Sequence, residues 1–144
     1  MSAVLEEVAR KLGGASVLGR EVRSQADLAL AVRDRLPLSA LKGLASAGLS
    51  EQEIERFVIP ARTRRHRLAK KQPLTVEESD RAVRLLRIQT LAEDTFGDKA
   101  KAGEWLRRSL AELGRETPLA VAETETGARL IETILAKIDW GAAA

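Results

Sequence analysis

The chain has 144 residues, no cysteine, two Phe and two Trp as its only aromatic side chains, and a charged fraction of 31%. This composition excludes a disulfide scaffold and cysteine-based catalysis, and its richness in Ala, Leu, Glu and Arg predicts helices instead of a strand-rich core. The formal net charge is +3, and no apolar run approaches the roughly 20 residues of a membrane span, so we expect a soluble cytoplasmic protein with no membrane partner.

Positive charge is concentrated in the first half of the chain. Residues 1–75 hold 14 Lys and Arg against 8 Asp and Glu, whereas residues 76–144 hold 10 against 13. A basic first half suits a polyanion, and a mildly acidic second half suits a protein better than a phosphate. We therefore expect two regions with two different partners.

The N-terminal segment, residues 2–12, is predicted to be an arm or an extra helix. Its apolar residues recur on one helical face, and Gly13 and Gly14 supply the backbone freedom that suits a helix end. Further along, Ser24 can cap a helix that Pro37 would break, because proline lacks the amide hydrogen that a helix interior needs.

Short helices are predicted to follow over residues 39–47 and 51–58. Ser50 and Glu53 fit the capping box that starts the second of them, and Pro60 can open a third. Short helices joined by tight turns, with a basic helix last, are typical of a helix-turn-helix, in which the final helix enters the major groove of DNA.

The helix after Pro60 is the main candidate for nucleic-acid contact, because seven of the ten residues 62–71 can carry positive charge. The planar fork of arginine grips guanine edges or phosphates in two parallel hydrogen bonds. The alternative is a solvated charged face, as most charge runs are. We expect Ala61 and Leu68 to face the core. The candidate DNA contacts are Arg62, Thr63, Arg65 and His66 for bases or backbone, Arg67, Lys70 and Lys71 for phosphates, and Arg64.

A longer helix is predicted to run from Thr75 toward Phe96. Thr75 and Glu78 form a second capping box at its start. Asp98 can cap the next helix, which is predicted over residues 99–110. The second half of the chain is therefore expected to be helical as well.

The last predicted helix, capped by Thr124 or Thr126, carries an apolar stripe that something must cover. The stripe is the core of its own domain by default, or in part a docking surface. Trp140 at the end of this face favours docking, because tryptophan is a frequent anchor in interface pockets. Trp105, which lies beside two arginines, is expected to fill the core.

The sequence contains no catalytic constellation, so we expect a protein that is not an enzyme and that uses no cofactor or metal. His66 lies among arginines with no carboxylate nearby in sequence, which favours a surface or phosphate-touching histidine over a catalytic base. The glycines at 13, 14 and 19 match neither nucleotide-binding fingerprint. Paired acids lie where they are more simply partners of a helix dipole than a metal or acid-base site.

Several short elements occur in a set order between residues 38 and 141. They are Gly48-Leu49-Ser50, Arg62-Thr63, the run from Leu74 to Arg84, Phe96-Gly97-Asp98, the run from Ala102 to Leu106, Thr117-Pro118-Leu119, the run from Glu125 to Arg129, and the run from Leu135 to Gly141. In order and spacing these elements resemble the Xre/MbcA/ParS antitoxins, the partners of RES-domain toxins in bacterial type II toxin-antitoxin pairs.

This resemblance implies an all-α fold in which an Xre-like helix-turn-helix domain precedes a small helical toxin-binding domain. It also implies repression of the protein's own operon and inhibition of a toxin that consumes NAD or uses it for ADP-ribosylation. The last helix and tail would then cover the NAD pocket of the toxin. The toxin-binding residues that the resemblance implies are Arg129, Glu132, Lys137, Trp140 and Gly141.

We therefore expect an N-terminal arm or extra helix over residues 1–22, a helix-turn-helix DNA-binding domain over 23–88 and a toxin-binding domain over 89–144. A homodimer within a larger toxin-antitoxin complex is expected, because two recognition helices must reach grooves about one turn apart. One alternative is a stand-alone transcription regulator whose second domain binds a small ligand or another copy of the chain. A second is a helical adaptor with no DNA role.

Overall fold

The computed structural model describes residues 2–143, with side chains as far as residue 141, and all regular structure in that range is helical. The all-α prediction is confirmed. The helices are α1 (Ala3–Lys11), α2 (Gly14–Leu18), α3 (Gln25–Arg33), α4 (Ala40–Ser46), α5 (Glu51–Phe57), α6 (Ala61–Ala69), α7 (Val76–Phe96), α8 (Lys99–Leu106), α9 (Pro118–Val121) and α10 (Glu125–Ala143), with a 3-10 turn at Ala111–Leu113.

The chain divides into two compact units between Leu86 and Arg87. Helix α7 supplies its first half to one unit and its second half to the other. The domain bounds that the sequence suggests stay a prediction.

The first unit has a core of aliphatic side chains from α1, α3, α4, α5 and the start of α7. Helix α1 packs against α4 so closely that a β-carbon built on Gly43 would lie 1.8 Å from the carbonyl oxygen of Lys11. Residues 2–12 thus contribute to this core. Its largest fully buried side chains are Leu12, Leu36, Leu41, Leu44, Ile54, Ile59, Leu74 and Leu86.

Side chains that the sequence places at helix starts cap those helices. Ser24 caps α3. Ser50 and Glu53 form a reciprocal capping box, with hydrogen bonds of 3.1 and 2.9 Å. Thr75 and Glu78 do the same at the start of α7, at 3.1 and 2.8 Å. These bonds satisfy amide donors that a helix start would otherwise leave free.

The segment after α3 is tied to the start of α7. The helix ends before Pro37 is reached, and Arg35 adopts a left-handed φ of 68°. From there the Arg35 guanidinium donates to the carbonyl oxygen of Leu74 at 2.8 Å, and the Leu36 amide donates to the Ser79 hydroxyl at 2.9 Å. These long-range bonds end the helix earlier than a proline signal alone predicts.

In the second unit, the helix predicted over residues 99–110 is wrong at its C-terminal end, because α8 stops at Leu106. The chain then forms a tight loop. The Leu110 amide donates to the carbonyl oxygen of Glu116 at 3.1 Å, and the Arg115 amide donates to that of Leu110 at 2.9 Å. The Leu110 amide therefore donates to a carbonyl oxygen later in the chain, whereas the amide of a helical residue donates to one earlier in the chain.

Helix α10 packs on α9. Thr124, and not Thr126, supplies its cap, because the Gly127 amide donates to the Thr124 hydroxyl at 3.0 Å. A β-carbon on Gly127 would lie 1.7 Å from the carbonyl oxygen of Val121, so the two helices are in close contact. Much of the apolar stripe is therefore core. Of the stripe residues, two are fully buried and the other three are half-buried. The buried ones are Ile131 and Leu135, and the half-buried ones are Gly127, Ile134 and Ile138.

Candidate nucleic-acid interface and partner-binding helix

Helix α6 and the two lysines after it present a cationic surface. No residue of the helix is buried, and Thr63 is half-buried. Five of the predicted DNA-contacting side chains are exposed, and the structure gives them no ion pair with any residue it describes. They are Arg62, Arg65, His66, Lys70 and Lys71.

The other two arginines of the predicted set point toward the protein. Arg64 pairs with Glu51 at 2.8 Å. Arg67 forms an ion pair with Glu78, and the two side chains are only 15% and 7% exposed. Arg64 and Arg67 therefore attach α6 to its neighbouring helices, and the exposed cations are left for an external partner.

The prediction that Leu68 faces the core is wrong, because its side chain is 67% exposed. Ala61 is half-buried. The reason lies in how the helix is held. Ion pairs from Arg64 and Arg67 hold α6 to its neighbouring helices, so this attachment does not require Leu68 to be buried, although Leu68 lies one helical turn after Arg64.

The turn before α6 is held by Arg81 of α7, which sequence reasoning missed. Its guanidinium donates two hydrogen bonds, of 3.1 and 3.0 Å, to the carbonyl oxygen of Val58. Val58 and Ile59 are buried. Because the bond joins residues 23 apart in sequence, no periodic pattern signals it. The start of α7 thus fixes both the turn and the basic helix.

The Glu78 carboxylate is the electrostatic anchor of this arrangement. Burial raises its pKa, but hydrogen bonds from the Arg67 guanidinium and the Thr75 amide, together with the positive charge of Arg67, outweigh burial. The pKa of Glu78 is therefore held below its usual value. The carboxylate stays ionised at neutral pH and keeps α6 attached to α7.

A surface cavity of about 260 Å³ opens between α5 and α6. Ile59 and Ala61 supply its apolar lining, and charged side chains of both signs surround it. The charged lining residues are Glu51, Glu55, Arg64 and Arg65. Acidic side chains thus adjoin the cationic surface, although the sequence did not predict this.

A second candidate surface is the outer face of α10. Residues three, four and seven apart share a helical face, and Arg129, Thr133, Lys137 and Trp140 follow that spacing. All four are exposed, and Trp140 is 78% exposed. The structure therefore brings three of the five predicted toxin-binding residues onto one exposed strip. Gly141, the last described side-chain position, is exposed beside it.

Glu132 is placed differently from the other predicted toxin contacts. Its carboxylate accepts a hydrogen bond of 2.8 Å from Arg87, and both side chains are about one-third exposed, at 34% and 33%. Arg87 also lies 3.4 Å from Glu125. Glu132 is therefore engaged within the second unit, and Arg87 is a partner that sequence reasoning missed.

The two tryptophans have different environments. Trp105 is half-buried, and its ring centroid lies 5.6 Å from that of Phe96. Trp140 projects from α10 into solvent. Burying an exposed tryptophan removes a large apolar surface from water, so Trp140 is suited to a partner's pocket.

The described residues were also compared with the requirements of a metal site and of a membrane span. Over residues 2–143, His, Asp and Glu side chains do not gather in any group of three or more that could hold a metal ion. No helix in that range combines the length and apolar character that crossing a membrane requires.

Comparison with known proteins finds two family models that match in tandem. One is described as an antitoxin Xre-like helix-turn-helix domain and matches residues 27–87. The other is described as the antitoxin Xre/MbcA/ParS C-terminal toxin-binding domain and matches residues 91–141. The first match contains α6, and the second contains α8, α9 and most of α10.

Three curated relatives are each named Antitoxin Xre. The protein from Pseudomonas putida is 31% identical over 121 residues, which cover 84% of this chain and 76% of the relative. That from Yersinia enterocolitica is 35% identical over 97 residues, or 66% of each chain. That from Photorhabdus laumondii is 36% identical over 84 residues, covering 58% of this chain and 57% of the relative.

Proposed function

This chain belongs to the Xre/MbcA/ParS antitoxin family, and we propose that it neutralises a cognate RES-domain toxin by covering the toxin's NAD-binding site and represses its own operon by binding DNA. The role is one of binding, without catalysis by this chain and without a cofactor. The observation that carries the proposal is that each matched segment contains a helix with an exposed face of the required chemistry.

We assign the DNA-binding function to residues 23–88. Helix α6 follows α5 through a tight, buried turn, as the recognition helix of a helix-turn-helix follows its supporting helix. Its N-terminal arginines, Arg62 and Arg65, are exposed and suited to guanine edges or phosphates. The lysines at 70 and 71 suit phosphates. Two such helices in a homodimer would read two half-sites.

We assign the toxin-binding function to residues 89–144. On the outer strip of α10, Trp140 offers an apolar anchor, and Arg129 and Lys137 offer positive charge on the same face. An anchor of this kind fits a pocket that is lined by apolar walls and accepts an anionic ligand, as an NAD site does. Occupation of that pocket would inhibit the toxin by steric exclusion.

Replacement of Arg62 or Arg65 by Ala tests the DNA-binding function. Each change should cost about 1–3 kcal/mol of affinity for the promoter fragment of the protein's own operon if that side chain reads a base. Arg33→Ala removes the same charge from an exposed position on α3 and serves as the matched control. Unchanged promoter binding by both α6 variants, at low and moderate salt, would contradict the assignment of α6 to DNA.

Deletion of residues 140–144 tests the toxin-binding function. Co-expressed with the product of the neighbouring gene, the full chain should permit growth and the truncated chain should not. Trp140→Phe keeps an aromatic anchor and should retain most of the protection, whereas Trp140→Ala should lose it. If the truncated chain still protects and still forms the complex, the last turns of α10 do not cover the toxin's site. A neighbour that is harmless in every case would favour a stand-alone regulator.

A further inference from the structure

Glu51 lies beside the cationic helix, where a carboxylate opposes the binding of phosphates. Its Oε2 atom is 2.8 Å from Nη1 of Arg64. The glutamate side chain is 68% exposed and that of the arginine 31% exposed. The pair joins the first residue of α5 to the middle of α6, so Arg64 is drawn toward α5 and away from the exposed side chains of the surface.

Stability alone gives little reason for this pair. Exposed ion pairs of this kind change an equilibrium constant by a factor of about five at most. Ser50 and Glu53 already cap α5, so Glu51 is not needed to satisfy an amide there. Besides suiting the N-terminal end of the α5 dipole, Glu51 has an electrostatic consequence for α6. One arginine of the recognition helix already has an anionic partner before any nucleic acid arrives.

DNA of unrelated sequence is bound almost wholly through phosphates, each of which recruits a cation and releases counterions. To offer such a phosphate its full positive charge, Arg64 must first leave Glu51. The exposed arginines and lysines of the surface have no ion pair with any described residue, so they need not leave a partner first. The pair therefore lowers the number of cations that non-specific DNA can recruit.

Resting on the proposed DNA-binding function, we infer that Glu51 is a positioning residue that withholds Arg64 from non-specific phosphates and so increases the preference of the protein for its own operator. In the operator complex Arg64 keeps the orientation that Glu51 imposes. Glu51 acts through Arg64 and needs no contact with DNA.

The experiment measures dissociation constants of the full-length chain and its variants for a mixed-sequence duplex over a range of salt concentrations. Glu51→Gln should raise affinity for this duplex about two- to fivefold at low salt, which is the value of the released ion pair. The plot of log affinity against log salt should steepen by about 0.9, because one more phosphate is neutralised. A role of Glu51 in folding alone would not move this slope.

Two further variants isolate the mechanism. Glu55→Gln removes one carboxylate from the same helix, at an exposed position that has no ion pair among the described residues. It should leave the salt slope as it is. The double variant Glu51→Gln/Arg64→Gln should return the slope to that of the unaltered chain, because the freed arginine is gone.

The proposal is overturned if Glu51→Gln leaves the slope unchanged, if Glu55→Gln steepens it equally, or if the double variant keeps the steeper slope. Equal gains for the promoter fragment and the mixed-sequence duplex would also overturn it, because the preference for the operator would not have fallen. A chain that shows no salt-dependent DNA binding before any substitution refutes the proposed function itself, which is a different result.

Discussion

Three glycines within helices offer a test of how closely the helices approach. On helix propensity alone, Gly→Ala at Gly43, Gly103 or Gly127 should stabilise the protein by about 1 kcal/mol. The structure predicts that the sign reverses at two of them. A β-carbon on Gly43 would lie 1.8 Å from the Lys11 carbonyl oxygen, and one on Gly127 would lie 1.7 Å from that of Val121.

The size of the expected loss of stability follows from these distances. Ordinary contact between a β-carbon and an oxygen requires more than 3 Å, so α1 must move from α4, and α9 from α10, by more than 1 Å. Both neighbours are backbone atoms and cannot rotate aside. Such overpacking costs about 1–3 kcal/mol, and the gain in helix propensity of about 1 kcal/mol offsets part of that cost. We therefore expect a net destabilisation of about 1 kcal/mol at each position, and of about 2 kcal/mol at most. Gly103 meets only the flexible end of Arg107 at 3.3 Å.

Thermal and urea unfolding, followed by circular dichroism, measure the effect. Gly103→Ala, the matched control, should raise the midpoint, whereas Gly43→Ala and Gly127→Ala should lower it. If the two units unfold in separate transitions, Gly43→Ala should move the first unit and Gly127→Ala the second. A Gly43→Ala variant as stable as Gly103→Ala would refute the close packing of α1 on α4.

Further predictions concern the surroundings of α6. Because the pKa of Glu78 is lowered on folding, its contribution to stability is complete above the unfolded value of 4.5 and is lost as the pH falls through the folded value. Glu78→Gln should lower the free energy of unfolding by about 1–3 kcal/mol at neutral pH. It should also weaken the dependence of that free energy on pH below 4.5. If the pH dependence is unchanged, the pairing of Glu78 with Arg67 is contradicted. Leu68→Ala should change the free energy of unfolding by less than about 0.5 kcal/mol, since the side chain is exposed. A cost above about 2 kcal/mol would instead indicate that Leu68 is buried. Ser50→Ala should cost about 1 kcal/mol in the same unfolding assay, and no loss would show that the capping box is dispensable.

Much of the fold could be read from local signals. The two capping boxes depend on residues three apart, and their spacing alone identifies where α5 and α7 begin. Proline at position 60 and the basic run after it likewise identify α6. Such features lie within one or two turns of the chain, and their free energies do not depend on distant residues.

The face of α6 that is buried could not be read in this way. Its sequence is almost uniformly polar, so it carries no apolar stripe to orient it, and the one large apolar side chain, Leu68, is exposed. The orientation instead follows from Arg67 and Glu78, which are eleven residues apart. The burial of α10 could not be read from the sequence either. The spacing of its apolar residues predicts an apolar face, but it does not predict how much of that face α9 covers.

By itself, the order of residues determined an all-helical chain, the positions of its helix starts, and the presence of one cationic and one tryptophan-bearing helix, because each depends on interactions between near neighbours. Only the tertiary structure decided which arginines of α6 are exposed, that Glu132 is engaged by Arg87, and that the face of α10 with Arg129, Lys137 and Trp140 is left open. These outcomes depend on ion pairs and packing between segments far apart in the chain, and such contacts exist only once the helices have assembled.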